Sequence, residues 1–356
     1  MKRLWKGLLG LALVLALAAG GYVAYALLAY YRLEDRLELT VEEKEALPEV
    51  SAGEAYTILS YNVGFGAYSA DYSFFMDGGT ESRADSREAV LANLAGAAEL
   101  LRREAPDFAL LQEVDTDSTR SFHVNEADLL RRALPAHSGV FAQNYDSPYL
   151  LWPLLEPHGK SVSGMLTLSA YHMEGALRRS LPVEESLWRF LDLDRCYAVS
   201  RLPVDNGKTL CIYHVHLSAY TSDGTVATRQ LELLLEDMAG EYAAGNYVVC
   251  GGDFNKDLLG DSAAVFGVTG ENAAWAQPFP ENLMPEGIAL AAPLDAGAPV
   301  PSCRNADQPY DPAASYVLTV DGFLISDNVT VSEAEVLDTG FAWSDHNPVQ
   351  MTFLLE

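Results

Sequence analysis

Twenty-five consecutive residues, GLLGLALVLALAAGGYVAYALLAYY from Gly7 to Tyr31, carry no charge. As a helix such a run rises ~37 Å, more than the ~30 Å of a bilayer's hydrocarbon core. It has no place in a water-soluble fold at the extreme N-terminus, so it divides the chain into residues 1–32 and everything after them. Lys2, Arg3 and Lys6 precede the run and Arg32 follows it. The excess of positive charge before the span predicts a cytoplasmic N-terminus and an extracytoplasmic remainder. The competing reading is a secretory signal cut after the small-x-small sequence Ala24–Tyr25–Ala26, which would release a secreted protein.

Residues 33–55 are charged and lack a sustained apolar stripe, so they read as a juxtamembrane linker. The globular part, residues 56–356, is predicted to be α/β. The stretch DSREAVLANLAGAAELLRREAPD has helical spacing at Val90, Leu91, Leu94, Ala98 and Leu101, with Asp85 or Ser86 to cap it and Pro106 to close it. A second helix is expected over about Val226–Tyr242. Strand-like runs include YTILSYN, FALLQEV, SGMLTLS, TLCIYHVHLS, YVVCGGDFN, YVLTVDGFLIS and the tail from Val349. Some alternate with helices and others follow one another directly, which implies mixed sheets in a sandwich and not one uniformly wound sheet. Between Glu271 and Pro312 lie eight of the 17 prolines, read as a long loop.

Residues 33–356 hold 19 bases (23 less the four before residue 33) against 50 acids, a net charge of −31. Such a body repels polyanions unless metal ions or a local basic patch reverse the sign, so avid binding of long nucleic acid is disfavoured. The four cysteines, Cys196, Cys211, Cys250 and Cys303, form no CxxC pair and argue against zinc; an exported location would permit a bridge such as Cys196–Cys303.

Chemistry gathers at the strand ends. Asn62, Glu113, His216, Asp253, Asn255, Asp321, Asp345 and His346 each adjoin an apolar run. Isolated, such groups are costly to desolvate. Drawn together around a hard cation they satisfy one another, and an oxygen-rich, thiolate-free set favours magnesium, with manganese or calcium as substitutes. In GGDFN, Gly251 and Gly252 are expected to let a phosphate approach the backbone, while Asp253 and Asn255 point the same way by strand alternation.

The ordered motifs SYNV, LLQEVD, HVHL, GGDFN, VDGFLIS and SDHNPV resemble the endonuclease/exonuclease/phosphatase superfamily over about residues 56–356. The resemblance implies a four-layer sandwich, two packed mixed β-sheets flanked by helices, here preceded by one transmembrane helix. It also implies magnesium-dependent hydrolysis of phosphate esters. Residue by residue, it implies Glu113 as principal metal ligand, with Asn62 and Asp345 on the metal side. Asp253 would orient or deprotonate water, Asn255 would hold that water or a phosphate oxygen, and Asp321 would fix His346 against the phosphate. His216 matches a second histidine of the deoxyribonuclease and sphingomyelinase branches; His214 stands where the family often has asparagine and receives no role. Arg120, Arg229 and Arg304 are candidate substrate contacts, Arg120 equally a partner for a nearby acid. The expected activity is a phosphodiesterase, nuclease-like or sphingomyelinase-like, on nucleic acid or a phospholipid headgroup. The alternatives are a phosphomonoesterase on a small phosphorylated metabolite or inositol phosphate, and a binding module that lost activity. No obligate protein partner is evident.

Overall fold

The computed structural model describes residues 2–29, 31–183, 194–219, 225–268, 276–295 and 297–356. Its first half runs α1 (Lys2–Ala29), β1 (Leu37–Leu39), β2 (Val41–Glu42), β3 (Ala55–Asn62), α2 (Arg87–Glu104), β4 (Phe108–Asp115), α3 (Glu126–Arg131), β5 (Ser138–Asp146), β6 (Val162–Ser169) and β7 (Gly175–Ser180). Then follow β8 (Cys196–Pro203), β9 (Thr209–His216), α4 (Thr225–Ala243), β10 (Tyr247–Asp253), α5 (Ser262–Phe266), β11 (Ile288–Ala291), β12 (Cys303–Arg304), β13 (Val317–Leu318), β14 (Asp321–Ser326), β15 (Val329–Val336) and β16 (Val349–Leu355).

Two mixed seven-stranded sheets form, ordered β1-β7-β8-β9-β10-β14-β11 and β15-β16-β3-β4-β6-β5-β2. Alternation along each central strand shows how they stack. On β4, Phe108 and Leu110 join Ile212 and Val249 of the other sheet in one buried cluster, whereas Ala109 and Leu111 join Leu94, Leu101 and Leu130 of α2 and α3. On β10, Val249 points to the same inter-sheet core, while Val248 and Cys250 meet Leu231, Leu234 and Met238 of α4. The layers are therefore helix, sheet, sheet, helix. Strands buried on both faces need continuous apolar runs, and VVC and FALL supply them.

Ser86 caps α2, its Oγ accepting the Ala89 N–H at 3.0 Å. The linker segment behaves differently from its sequence reading. β1 pairs with β7 and β2 pairs with β5, so residues read as a stalk lengthen both sheets at their edges. Two or three residues suffice for that, too few for a visible stripe. The proline-rich segment is likewise not one long loop, because it contributes β11 beside β14 and β12 beside β13; residues 271–275 and 296 of it lie outside the described residues. All four cysteines are free and buried, so the Cys196–Cys303 bridge does not form. The helix α1 has no buried residue and is long and apolar enough to cross a membrane.

Candidate active site

Inward parity builds the site. Residues 58, 60 and 62 of β3, 210 to 216 at even numbers on β9, 249, 251 and 253 on β10, and 321 and 323 on β14 face the space between the sheets. Strand ends from both sheets thus deliver Asn62, His216, Asp253 and Asp321 to one rim. The register agrees: Asp253 lies opposite His216 across a parallel pair and opposite Asp321 across an antiparallel one. Glu113 breaks the parity, since alternation on β4 would point it away from the core. A bulge between Leu111 and Val114, with Glu113 at φ 53°, turns it toward the rim. A left-handed glutamate is unusual enough to mark a functional position.

The cleft so formed holds about 500 Å³ and is lined by Glu113, His216, Asp253, Asn255, Asp345 and His346 among others. Asn62 Nδ2 donates to Asp253 Oδ2 at 3.1 Å and to Glu113 Oε1 at 3.2 Å, while its Oδ1 accepts the Gly64 N–H at 3.0 Å. In this orientation Asn62 offers hydrogens to the two carboxylates and ties the acids together, while its oxygen accepts one backbone N–H. His346 Nδ1 donates to Asp321 Oδ2 at 2.7 Å, and Ser302 Oγ donates to the same oxygen at 2.7 Å. His346 Nε2 then faces Asp253 Oδ2 at 3.8 Å and Cys303 Sγ at 3.7 Å. His216 Nε2 lies 3.6 Å from Asp253 Oδ2 and 3.9 Å from Glu113 Oε1. Asn255, at φ 50°, donates its Nδ2 to the Leu217 carbonyl at 2.8 Å and its N–H to Asp253 Oδ1 at 2.9 Å.

Protonation follows from these contacts. Burial first, and the Asp321 charge second, push the Asp253 carboxyl up to about 7, against the opposing pull of His346, the Asn255 N–H and Asn62. Burial works against a charged His346, yet Asp321 and then Cys303 outweigh it and hold the imidazole well above its usual range. His216 goes the other way: burial, then Arg195 and His346, keep it neutral, so its approaches to the two acids are not ion pairs. Burial also raises Glu113 and Asp345, the first eased by Arg120 and the second by His346 and Arg304.

The donor set fits a hard divalent cation. Glu113 and Asp345 stay partly open to the cleft, whereas Asp253 and Asp321 are buried. Side-chain donors to the two open acids are sparse, Asn62 for Glu113 and Ser344 Oγ at 3.3 Å for Asp345, which leaves carboxylate oxygens for a cation. Ligand atoms of Asp253, Asp321 and His346 also lie within 4.8 Å of one another. Since His346 Nδ1 is hydrogen-bonded to Asp321, that trio reads better as an oriented imidazole between two carboxylates than as a cage.

The three arginines singled out in the sequence do not converge on substrate space as free cations. Arg120 is buried and bidentate to Asp115 at 3.0 and 2.8 Å, with its guanidinium 3.9 Å from the Phe65 ring centroid. Arg304 donates to the carbonyls of Ser69, Tyr72, Asn305 and Gln308. Both line the cleft but hold its walls. Arg229 is exposed on α4 and is not among the cleft residues. Arg195, which no motif flags, does line it: Nη1 donates to the His216 carbonyl at 3.4 Å, and the buried Nε has no hydrogen-bond partner among the described residues.

Gly251 and Gly252 are required for packing and not for substrate approach. A Cβ on Gly252, at φ 148°, would stand 2.0 Å from the Val215 carbonyl oxygen, and one on Gly251 would meet Phe323 at 2.8 Å and Leu110 of the facing sheet at 2.9 Å. His214 is an inter-sheet bridge: Gln112 Nε2 lies 2.6 Å from its Nε2 and Thr167 Oγ1 2.9 Å from its Nδ1, and burial pushes its pKa down to about 3.

The family model for the Endonuclease/Exonuclease/phosphatase family matches residues 59–346. No curated protein matches the chain. Among solved structures it is similar to an endonuclease/exonuclease/phosphatase from Beutenbergia cavernae, at 17% identity and TM-score 0.57, covering 85% of this chain and 72% of that one. It is similar to ANGEL2, a 2′,3′-cyclic phosphatase solved with adenosine-2′,3′-vanadate, at 14% identity and TM-score 0.56, covering 90% and 99%. It is also similar to D. rerio TDP2 complexed with a single-strand DNA product, at 16% identity and TM-score 0.51, covering 84% and 99%. At such identities the likeness shows the fold.

Proposed function

The chain belongs to the endonuclease/exonuclease/phosphatase family, whose members are phosphoesterase hydrolases, and from that premise we propose that it is a phosphodiesterase using a divalent metal, magnesium first and manganese as substitute. One observation carries the reading: Asp253 lies within 3.8 Å of an imidazole, His346, that Asp321 holds at 2.7 Å, next to two carboxylates, Glu113 and Asp345, partly open to the cleft. Glu113 and Asp345 would hold the cation, which when bound offsets charge on a non-bridging phosphate oxygen.

The chain's own groups supply the rest. Asp253, oriented by Asn62 and the Asn255 N–H, accepts a proton from the attacking water, a task suited to a group titrating near neutrality. His346 in its charged form offers Nε2–H to the phosphoryl oxygens as charge builds there, and Asp321 with Ser302 keeps it from turning. His216, neutral and buried, and Arg195 complete the polar wall.

A diester is favoured over a monoester on charge. Its phosphate bears one negative charge and not two, and the carboxylate-rich cleft has Arg120 and Arg304 engaged elsewhere. Turnover of bis(p-nitrophenyl) phosphate and p-nitrophenyl phosphate, compared at saturating magnesium, tests this. The diester is expected to react at least about tenfold faster, the scale of a single charge–charge term in a partly desolvated site. Faster monoester hydrolysis would replace this reading with a phosphomonoesterase.

A further inference from the structure

Glu126 is a buried acid that the mechanism leaves unused. It opens α3 with Asn125 as its cap, where an acid ordinarily faces solvent beside the helix dipole. Here the side chain turns inward instead and is 0% exposed. Its Oε2 accepts the Asp115 N–H at 2.9 Å, while Oε1 is buried without a hydrogen-bond partner among the described residues. Burial first, and the Asp115 charge second, push its carboxyl well above the usual carboxylate range. An apolar side chain would fill the place without that cost. What the carboxyl adds is the bond to Asp115.

That bond falls where the aim of Glu113 is decided. The β4 bulge lies between Leu111 and Val114, and Glu113 inside it is left-handed. A non-glycine residue holds that conformation only where its surroundings over-determine it. Ahead of the bulge β4 is tied on both sides, by β6 through the Leu111–Leu166 pair and by β3 as far as Asn62 opposite Gln112. Beyond it β6 continues, pairing Val114 with Gly164 and Asp115 with Ser163, but β3 has ended. Glu126 supplies the acceptor that β3 no longer offers. The Asp115 side chain is fixed separately, by Arg120 at 3.0 and 2.8 Å and by Ser121 Oγ at 2.8 Å. The strand leaving the bulge is thereby held on both edges, and Glu113 has no slack in which to relax.

We propose that Glu126 is a positioning residue for the reaction: by taking the Asp115 N–H it locks the β4 bulge in the form that aims Glu113 at the cation. The inference rests on Glu113 as a cation ligand, as read above. Glu126 is not among the cleft-lining residues, so it acts only through the backbone of β4. Its effect therefore belongs to cation affinity, and not to the proton transfers at Asp253 and His346. The requirement is for an acceptor oxygen at that reach and not for a charge.

Manganese titrations of the full chain in detergent micelles, read as loss of the free-ion EPR signal, test this without turnover. Glu126→Leu, which removes the acceptor, is expected to weaken manganese binding at least about tenfold, the scale of one buried hydrogen bond. Glu126→Gln, which keeps an acceptor oxygen at the same reach, is expected to stay within about twofold of wild type. Glu126→Asp, one methylene short, is expected to share the loss, and it decides the matter if Glu126→Leu does not fold. On bis(p-nitrophenyl) phosphate the manganese concentration for half-maximal rate should rise in step, with kcat at saturating metal falling less. A merely structural role would lower the thermal midpoint and leave manganese binding unchanged, and that result would overturn the proposal. So would a Glu126→Gln variant as weak as Glu126→Leu. A Glu113→Gln variant that binds manganese as tightly as wild type would overturn the cation reading instead. Hydrogen exchange at the Asp115 amide, expected to be at least about tenfold faster in Glu126→Leu, would then still decide the brace.

Discussion

Asp253 and His346 illustrate how single residues acquire their chemistry from position. Asp253 is the last inward residue of β10, and burial beside Asp321 makes it a proton acceptor near neutral pH. Asp253→Asn and His346→Ala are each expected to lower turnover at least about 10²-fold, the usual scale for a lost acid–base or electrostatic group. The thermal midpoint should hold or rise slightly for Asp253→Asn, which relieves like charge beside Asp321, and fall for His346→Ala, which leaves the buried Asp321 without its partner. Near wild-type turnover in either variant, measured on a soluble diester, would remove that residue from the mechanism. Both were legible in the sequence, since an acid or histidine closing an apolar strand needs a partner. The aim of Glu113 was not, because it depends on a left-handed residue at a bulge that alternation cannot anticipate. The sequence left Arg120 open between substrate and a nearby acid, which proves to be Asp115 five positions before it, and it did not point to Arg195 in the cleft.

Strands and their contacts set the next scale. The two glycines before Asp253 let β10 approach both β9 and the facing sheet, so their replacement tests packing apart from catalysis. Gly251→Ala is expected to cost about 1–3 kcal/mol by overpacking against Phe323 and Leu110. Gly252→Ala should cost more, roughly 3 kcal/mol or above, since its Cβ meets backbone at a disfavoured φ. Chemical denaturation would measure both, and a neutral Gly252→Ala would refute the close approach. His214 ties β9 to β4 and β6 in its neutral form. Its folded pKa of about 3 lies below the unfolded value, so the unfolded chain binds the extra proton as pH falls from about 6.5 toward 3. Stability is thus full above that window and is lost through it, by at most about 1.4 kcal/mol per pH unit from this group. His214→Gln should flatten the stability–pH slope between about pH 6 and 4 by that order; an unchanged slope would contradict the bridge. The helices and central strands were readable from periodicity. The edge strands β1, β2 and β11 were not, because they are a few residues long and owe their conformation to the sheet edge they meet.

For the whole molecule, the apolar run and its basic flank support the proposal of a membrane anchor with a cytoplasmic N-terminus and an extracytoplasmic remainder. Protease added to intact cells or spheroplasts is expected to release a fragment of about residues 35–356. Protection until lysis would reverse the orientation, and a mature N-terminus at Leu27 would show a cleaved signal and a secreted enzyme. The four-layer sandwich was legible as a whole because its six motifs occur in order, although which lipid, nucleotide or metabolite it accepts is written in the cleft walls, where residues far apart in sequence meet. Partly open carboxylates at Glu113 and Asp345 are proposed to hold a catalytic cation beside Asp253 and His346. Turnover of the full chain on bis(p-nitrophenyl) phosphate, after exhaustive chelation and then on magnesium addition, tests it most directly. Activity is expected to be lost in chelator and restored by magnesium or manganese, and a Glu113→Gln variant to need at least about tenfold more magnesium, since a neutral amide binds such a cation less well. Undiminished turnover in chelator would contradict it.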